Sequence, residues 1–238
     1  MIYPPSVYFC MQFIDNIIDT QNITDKPSCS SSCDFKQLSN IPIVGVPGPQ
    51  KPNSLLGVII SRDPTTAFIQ PYIGARAKSL DGWHHQLMTV PAPPQWIIGQ
   101  ISTFNRKYLD SKYTVEIVRL NEIMVNNVYW THLHKCCTDK SSKEAPKFKT
   151  KNAQLCANQW LRQELSDAIV DGVKFIICVG NDAKAWLQEW ENSAPEATGI
   201  QIFYLPHPSG AANGAWNPKD DEKMGNLRSN IENLLLFV

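Results

Sequence analysis

The sequence has no excess of charge of either sign and no long hydrophobic run. Lysine and arginine together number 22, as do aspartate and glutamate, so the net charge gives no indication of a polyanionic partner. Any nucleic-acid surface would have to be a local basic patch. The longest apolar runs are far too short to cross a membrane, which argues against a membrane protein. The first residues, 1–5, lack the basic start and apolar run of a secretory signal, so an intracellular protein is expected.

Cysteine, by contrast, is frequent, with seven residues. A reducing compartment disfavours a disulfide framework. Cys10 and Cys178 lie in apolar segments and are expected to be buried as small hydrophobic residues. The other five fall in two groups that are distant in sequence, which predicts a shared metal site: Cys29, Cys33, Cys136, Cys137 and Cys156. Unligated buried thiols are the alternative.

The order of hydrophobic patterns predicts an α/β domain. Four short apolar runs are typical of buried strands: residues 55–60, 128–133, 174–179 and 200–205. Helical spacing covers residues 6–19, 95–108, 155–169, 182–190 and 222–237. Strands that are separated by helices imply parallel order. We therefore predict one three-layer α/β/α domain over residues 1–238, with a mainly four-stranded parallel sheet and residues 1–28 as an N-terminal helical extension.

The fourth predicted strand ends abruptly at a histidine between two prolines. Pro206 and Pro208 fix the backbone on either side of His207. Ligands of open α/β sheets bind at the carboxyl ends of strands, so a rigidly held imidazole at this position is a candidate catalytic group. A proline-rich turn that happens to contain histidine is the alternative.

Polar residues also follow the first two predicted strands. Asp63 comes after the first strand, and His132 lies at the end of the second, together with Thr131 and His134. Because the carboxyl ends of parallel strands share one edge of a sheet, these side chains are expected to lie near His207. A carboxylate and a histidine across a crevice suit water activation with stabilisation of an anionic leaving group.

Taken in order, these segments resemble the uracil-DNA glycosylase superfamily, and most closely its iron–sulfur branch. Residues 61–64 (Ser-Arg-Asp-Pro) stand where the family places its water-activating motif. Residues 128–136 look like the strand that carries the family's uracil-reading asparagine, and residues 156–187 are similar to its helix–strand–Gly–helix unit. Residues 207–209 (His-Pro-Ser) match its second catalytic motif.

The resemblance implies a DNA glycosylase that flips a deoxyuridine out of the stack and hydrolyses its N-glycosidic bond. Asp63 would orient or deprotonate water, or stabilise the sugar cation, and His207 would donate a hydrogen bond to the uracil oxygen. Phe68 or Tyr72 would stack on the base, and His132 would face its edge. Contacts to the DNA backbone are expected from further motif residues: Ser61, Lys135, Ser209, Gly210 and Asn213.

The same resemblance implies a [4Fe–4S] cluster bound by Cys29, Cys33, Cys136 and Cys156, with Cys137 as a neighbour. Zinc bound by the same thiolates is the chemical alternative. A lysine-rich stretch beside the cluster would supply the local basic patch: Lys135, Lys140, Lys143, Lys147, Lys149 and Lys151. DNA is the expected partner, and the protein is expected to be a monomer.

Three departures from the family pattern bear on function. Three residues separate Cys29 from Cys33, where the iron–sulfur branch usually has two, and Arg62 precedes Asp63 in an unfamiliar motif. His132 occupies the position of the uracil-reading asparagine. An amide presents a donor and an acceptor together, whereas neutral imidazole has one of each on opposite sides of the ring, which predicts altered base selectivity. The competing predictions are a non-catalytic nucleic-acid-binding member, and an unrelated α/β hydrolase or metal-binding domain.

Overall fold

The structure, a computed structural model, describes residues 29, 31–35, 43–45, 55–65, 87–89, 95–138 and 147–238. The strands are β1 (Ile43–Gly45), β2 (Gly57–Ser61), β3 (Leu87–Thr89), β4 (Val128–His132), β5 (Phe175–Val179) and β6 (Gln201–Leu205). The α-helices are α1 (Gln95–Tyr108), α2 (Thr114–Asn126), α3 (Thr150–Cys156), α4 (Arg162–Val170), α5 (Asn181–Ser193) and α6 (Asp221–Phe237). A π-helix (Ala157–Leu161) joins α3 to α4, and two 3-10 helices cover Pro195–Ala197 and Gly210–Trp216. The predicted extension over residues 1–28 lies outside the described residues.

The central sheet has four strands in the order β4-β2-β5-β6, and every neighbouring pair is parallel. The short strands β1 and β3 form a separate parallel pair. In the central sheet Ser61 is in register with His132, so the carboxyl ends of β2 and β4 lie side by side. The predicted four-stranded parallel sheet is confirmed.

The sheet is covered on both faces because alternate side chains of each strand point to opposite sides. Val58, Ile60 and Ile176 belong to one hydrophobic core, which also takes residues from α3, α4 and α5. Ile59 and Ile177 belong to the other core, which takes residues from α1, α2 and α6. The predicted three-layer α/β/α arrangement is therefore confirmed.

Helix α2 was not predicted, because its apolar residues do not fall on one face. Its buried side chains are Ile117, Leu120 and Met124. Three valines on the same helix are exposed: Val115, Val118 and Val125. These β-branched residues obscure the helical period in the sequence, and packing against the core decides the outcome. Within the described part of the chain, no helix is long and apolar enough to span a membrane.

Candidate active site

The loops after β2 and β4 run side by side beyond the ends of the strands. Three backbone hydrogen bonds continue the parallel pairing: Leu133 N to Ser61 O at 2.8 Å, His134 N to Arg62 O at 2.9 Å, and Thr138 N to Pro64 O at 3.0 Å. Thr65 and Thr138 then form an isolated parallel bridge. The backbone around Asp63 is therefore held by the segment that follows β4.

Asp63 is buried, with 6 % of its surface exposed. One carboxylate oxygen accepts a hydrogen bond from Nε of Arg62, and the other accepts one from the hydroxyl of Thr138. Each carboxylate oxygen has a further lone pair, so a water molecule can still be bound. The two donors fix the orientation of the carboxylate.

Arg62 is itself held from several sides. Its guanidinium lies 4.4 Å from the centre of the Phe148 ring, a cation–π arrangement. Its Nη1 lies 3.9 Å from a carboxylate oxygen of Asp182, in the first turn of α5. Arg62 therefore connects the loop after β2 to helix α5, and its positive charge is placed beside Asp63.

His207 follows β6 and is half-buried. Its Nδ1 accepts a hydrogen bond from the backbone N–H of Ser209 at 3.2 Å, which places the ring proton of the neutral imidazole on Nε2. The indole N–H of Trp216 donates to the His207 carbonyl at 3.0 Å. Burial lowers the pKa of His207, and the charge of Arg62 lowers it further, while Asp63 opposes both effects. The ring is therefore a neutral donor through Nε2 at neutral pH.

A cavity of about 270 Å³ lies between these groups. Its lining residues are Ser61, Asp63, Thr65, Trp96, Trp130, His207, Pro208 and Ser209. This volume is below the range of about 300–1,000 Å³ that is usual for drug-sized ligands, so the cavity suits a smaller molecule. Two indole rings and two catalytic candidates in one small space suit a planar polar ligand.

The cavity brings together several of the residues that the sequence singled out. Asp63, His207, Ser61 and Ser209 all line it. Gly210 begins the 3-10 helix after β6, and Asn213 is exposed on that helix. Phe68 and Tyr72 lie outside the described residues, so their predicted stacking role stays a prediction.

Three lining residues were not singled out from the sequence: Thr65, Trp96 and Trp130. Trp130 lies on β4, and its indole N–H donates to the hydroxyl of Ser61 at 3.0 Å. Trp96 is the second residue of α1, a helix whose span was predicted correctly. The sequence signal for Trp96 is its position in the first turn of a helix that follows a proline cluster. A tryptophan in that position is more simply interpreted as a core residue.

His132 is buried, with 1 % of its surface exposed. Burial lowers its pKa well below the usual value, and the charges of Lys135, His207 and His134 act in the same direction. The imidazole is therefore neutral at physiological pH. His132 is not among the described residues that line the cavity, and its predicted role in reading the base stays a prediction.

Lys135 has a different environment from the expected one. It was expected to contact DNA phosphates, but its side chain is only 2 % exposed. Its Nζ lies 2.5 Å from a carboxylate oxygen of Glu164 in α4 and also donates to the hydroxyl of Thr131. Glu164 accepts further hydrogen bonds from the hydroxyls of Thr131 and Tyr129. The ammonium group of Lys135 is thus part of a buried hydrogen-bond network. This position does not support the predicted contact with a DNA phosphate.

The rest of the predicted basic patch is only partly described. Lys140 and Lys143 lie outside the described residues. Lys149 forms an exposed ion pair with Asp34 at 2.6 Å, and this hydrogen bond lowers the pKa of Asp34. Lys147 and Lys151 are exposed.

The cysteines that were expected to bind metal lie on the same face of the central sheet. Cys29 and Cys33 pack against the hydrophobic core that contains Cys136. The pKa of Cys156 is raised by burial first, and then by the nearby thiols of Cys136 and Cys29. The backbone N–H of Lys135 points to the sulfur of Cys156 at 3.4 Å.

Cys137 belongs to the core on the other face of the sheet, away from these thiols. Within the described ranges, no group of three or more His, Cys, Asp or Glu residues has the geometry of a metal site. The soft donor set of Cys29, Cys33, Cys136 and Cys156 nevertheless has the chemistry that an iron–sulfur cluster or zinc requires.

Comparison with known proteins identifies a matching family. No curated protein matches the chain. The family model described as the uracil DNA glycosylase superfamily matches residues 51–227, a span that contains Asp63 and His207 but begins after Cys29 and Cys33. Because the match covers most of the chain, including the whole central sheet, the protein belongs to the uracil DNA glycosylase superfamily.

Proposed function

We propose that the protein is a monofunctional DNA glycosylase that hydrolyses the N-glycosidic bond of uracil or another deaminated base in intracellular DNA. The observation that carries this proposal is that Asp63 and His207 line the same small cavity. Asp63 follows β2 and His207 follows β6, and the indole rings of Trp96 and Trp130 line the same cavity. The volume suits one flipped base better than a larger ligand.

The proposed reaction begins with a base in the cavity and a water molecule beside Asp63. The bond between the sugar C1′ and the base nitrogen breaks, and its electron pair moves onto the base. His207 donates a hydrogen bond from Nε2 to the base oxygen where this charge develops. Water adds to C1′ and loses its proton, and Asp63 accepts that proton or stabilises the positive sugar as it forms.

The proposed DNA contacts surround the mouth of this cavity. Ser209 is exposed, and together with the backbone of Gly210 it would bind phosphates next to the flipped nucleotide. Asn213, exposed on the same 3-10 helix, would contact the strand beside it. His132 is not a lining residue of the cavity, and it is proposed to influence base selectivity through His207, whose charge acts on its ring.

We also propose that Cys29, Cys33, Cys136 and Cys156 hold a structural [4Fe–4S] cluster. The nearby thiols of Cys29, Cys136 and Cys156 and the N–H directed at the Cys156 sulfur support this assignment. When bound, the cluster would supply a covalent tie between residues 29–33 and the loop after β4. It has no part in the bond-breaking step.

The purified protein is expected to be brown, with an absorbance band near ~400 nm. Cys136→Ser should lose this band together with the bound iron, because serine is a poor ligand for iron–sulfur clusters. Cys137→Ser is the matched control, since Cys137 lies in the other core, and it should keep both. A colourless protein that contains zinc would show that the alternative metal is bound.

A base-release assay tests the proposed activity directly. The protein is incubated with single- and double-stranded oligonucleotides that contain uracil, hypoxanthine or xanthine, and abasic product is measured after alkaline cleavage. At least one base should be released. The activity proposal fails if the intact protein binds these oligonucleotides but yields no abasic product from any of them.

A non-catalytic nucleic-acid-binding member is the second candidate function. One observation favours it: both carboxylate oxygens of Asp63 already accept hydrogen bonds, from Arg62 and Thr138. This candidate predicts DNA affinity that falls with salt and no abasic product. Base release that disappears in Asp63→Asn would exclude it.

A further inference from the structure

Ser61 is the last residue of β2, and it lines the same cavity as Asp63 and His207. It is buried, with 3 % of its surface exposed. Ser61 was expected to contact the DNA backbone, which lies outside the protein when a base is flipped into a cavity. A side chain at this depth in the cavity wall is better placed to contact the base itself.

The Ser61 hydroxyl is held by a side chain of the neighbouring strand. Trp130 of β4 is in register with Ile59 of β2, so its indole reaches Ser61 diagonally across the two strands. The indole N–H donates to the Ser61 oxygen at 3.0 Å. Because an indole N–H can only donate, the hydroxyl proton of Ser61 is not used in this contact. Within the described part of the chain no acceptor takes that proton, so it can be donated to a ligand.

The neighbour of Ser61 in the sheet is the residue that was expected to face the edge of the base. Ser61 is in register with His132, and side chains of paired residues point to the same face of a sheet. His132 is not among the described residues that line the cavity, whereas Ser61 is. Of these two adjacent positions, the one that brings a polar side chain to the cavity is therefore position 61.

Two hydrogen-bond donors thus line the cavity from different strands. The neutral His207 ring carries a proton on Nε2, and the hydroxyl of Ser61 supplies a second donor. Uracil and xanthine carry two carbonyl oxygens on their six-membered ring, whereas hypoxanthine carries one. A site that is built to donate twice discriminates against a ligand that leaves one of its buried donors unpaired. The two donors therefore favour a base with two carbonyl oxygens.

We propose that Ser61 determines base specificity, by donating its hydroxyl proton to one carbonyl oxygen of uracil or xanthine while His207 donates to the other. The inference rests on the proposed glycosylase function, which places the flipped base in this cavity. Trp130 is a positioning residue for the hydroxyl, because its N–H fixes the Ser61 oxygen.

The variant Ser61→Ala tests this role by equilibrium binding, without catalysis. The probes are fluorescein-labelled single-stranded oligonucleotides of about 20 nucleotides. Their central nucleotide carries uracil, xanthine or hypoxanthine on a 2′-fluorinated sugar, which resists hydrolysis, and a fourth probe has a tetrahydrofuran site and therefore no base. Fluorescence anisotropy should show that Ser61→Ala raises the Kd of the uracil or the xanthine probe roughly tenfold. The Kd values of the hypoxanthine and tetrahydrofuran probes should change by less than about twofold.

Ser193→Ala is the matched control, because Ser193 is exposed at the end of α5 remote from Asp182. It should leave every Kd unchanged. In Ser61→Ala the buried N–H of Trp130 also loses its Ser61 acceptor, so the double variant Ser61→Ala/Trp130→Phe is measured as well. If Ser61 only supported the packing of Trp130, the double variant would regain the preference for uracil or xanthine over hypoxanthine. A base-reading role predicts that this preference stays lost.

The assignment is overturned if Ser61→Ala leaves the ratios of the Kd values between the four probes unchanged. It is also overturned if the unaltered protein binds the uracil and xanthine probes no more tightly than the tetrahydrofuran probe. If the unaltered protein releases no base, but Ser61→Ala selectively weakens the uracil or the xanthine probe, Ser61 stands as the base-reading residue and the glycosylase proposal falls.

Discussion

Replacing His207 by alanine is expected to slow base release by about 10²–10³-fold, the usual cost of removing one donor to a developing negative charge. The hydrogen bond from Ser209 to Nδ1 leaves the ring proton on Nε2, where it can be donated to the base. Single-turnover rates on an oligonucleotide that contains the preferred base give the measurement. His207→Gln, which retains an N–H donor, should recover part of the lost rate.

Asp63→Asn is expected to reduce the same rate by about 10²–10⁴-fold, because an amide can neither accept the proton of water nor stabilise a cationic sugar as a carboxylate does. Asp171→Asn is the matched control. Asp171 is exposed after α4, at the end of the sheet where the strands begin, away from Asp63. Affinity for an oligonucleotide with a central tetrahydrofuran site, which a glycosylase cannot hydrolyse, is measured for each variant to separate binding from chemistry. Full activity in both Asp63→Asn and His207→Ala would refute the proposed mechanism.

Glu164→Gln is expected to lower the free energy of unfolding by about 3–5 kcal/mol, because it leaves the Lys135 ammonium buried without its counter-charge. Glu164 and Lys135 are only 4 % and 2 % exposed, so water cannot replace the missing carboxylate. Urea unfolding should show a midpoint lowered by more than ~1 M with an unchanged slope.

The double variant Lys135→Met/Glu164→Gln is the control for this buried pair. It removes the ammonium, and the amide introduced at position 164 keeps an oxygen that accepts from the hydroxyls of Tyr129 and Thr131. The double variant should therefore be more stable than Glu164→Gln alone. If Glu164→Gln lowers the free energy of unfolding by less than about 1 kcal/mol, the buried pair contributes less to stability than its burial indicates.

The strands and the meeting of Asp63 and His207 at one cavity could be predicted because their signals are local. A short apolar run followed by Asp63, or by His207 between two prolines, predicts a buried strand with a titratable group at its end. Parallel order then predicts that these ends meet. The family match spans both positions.

The environment of Lys135 could not be predicted, because its partner Glu164 lies on another element and 29 residues away. A lysine near other lysines in the sequence is expected to be solvent-exposed, and only the packing of α4 on the sheet shows otherwise. The position of Trp96, which reaches the cavity from α1, could not be predicted for the same reason. Long-range packing of this kind leaves no periodic pattern in the sequence.

Thr138 determines which insertions and deletions the site can tolerate. Its hydroxyl donates to Asp63, and its backbone N–H donates to Pro64 at 3.0 Å. Two residues earlier, Cys136 is fixed in the core on the face of α3 and α4. One added or lost residue between Cys136 and Thr138 would break either the thiol packing or the carboxylate contact, while the sheet itself would remain intact. The length of the segment from Cys136 to Thr138 is therefore constrained by the contacts of the site more tightly than by the stability of the sheet.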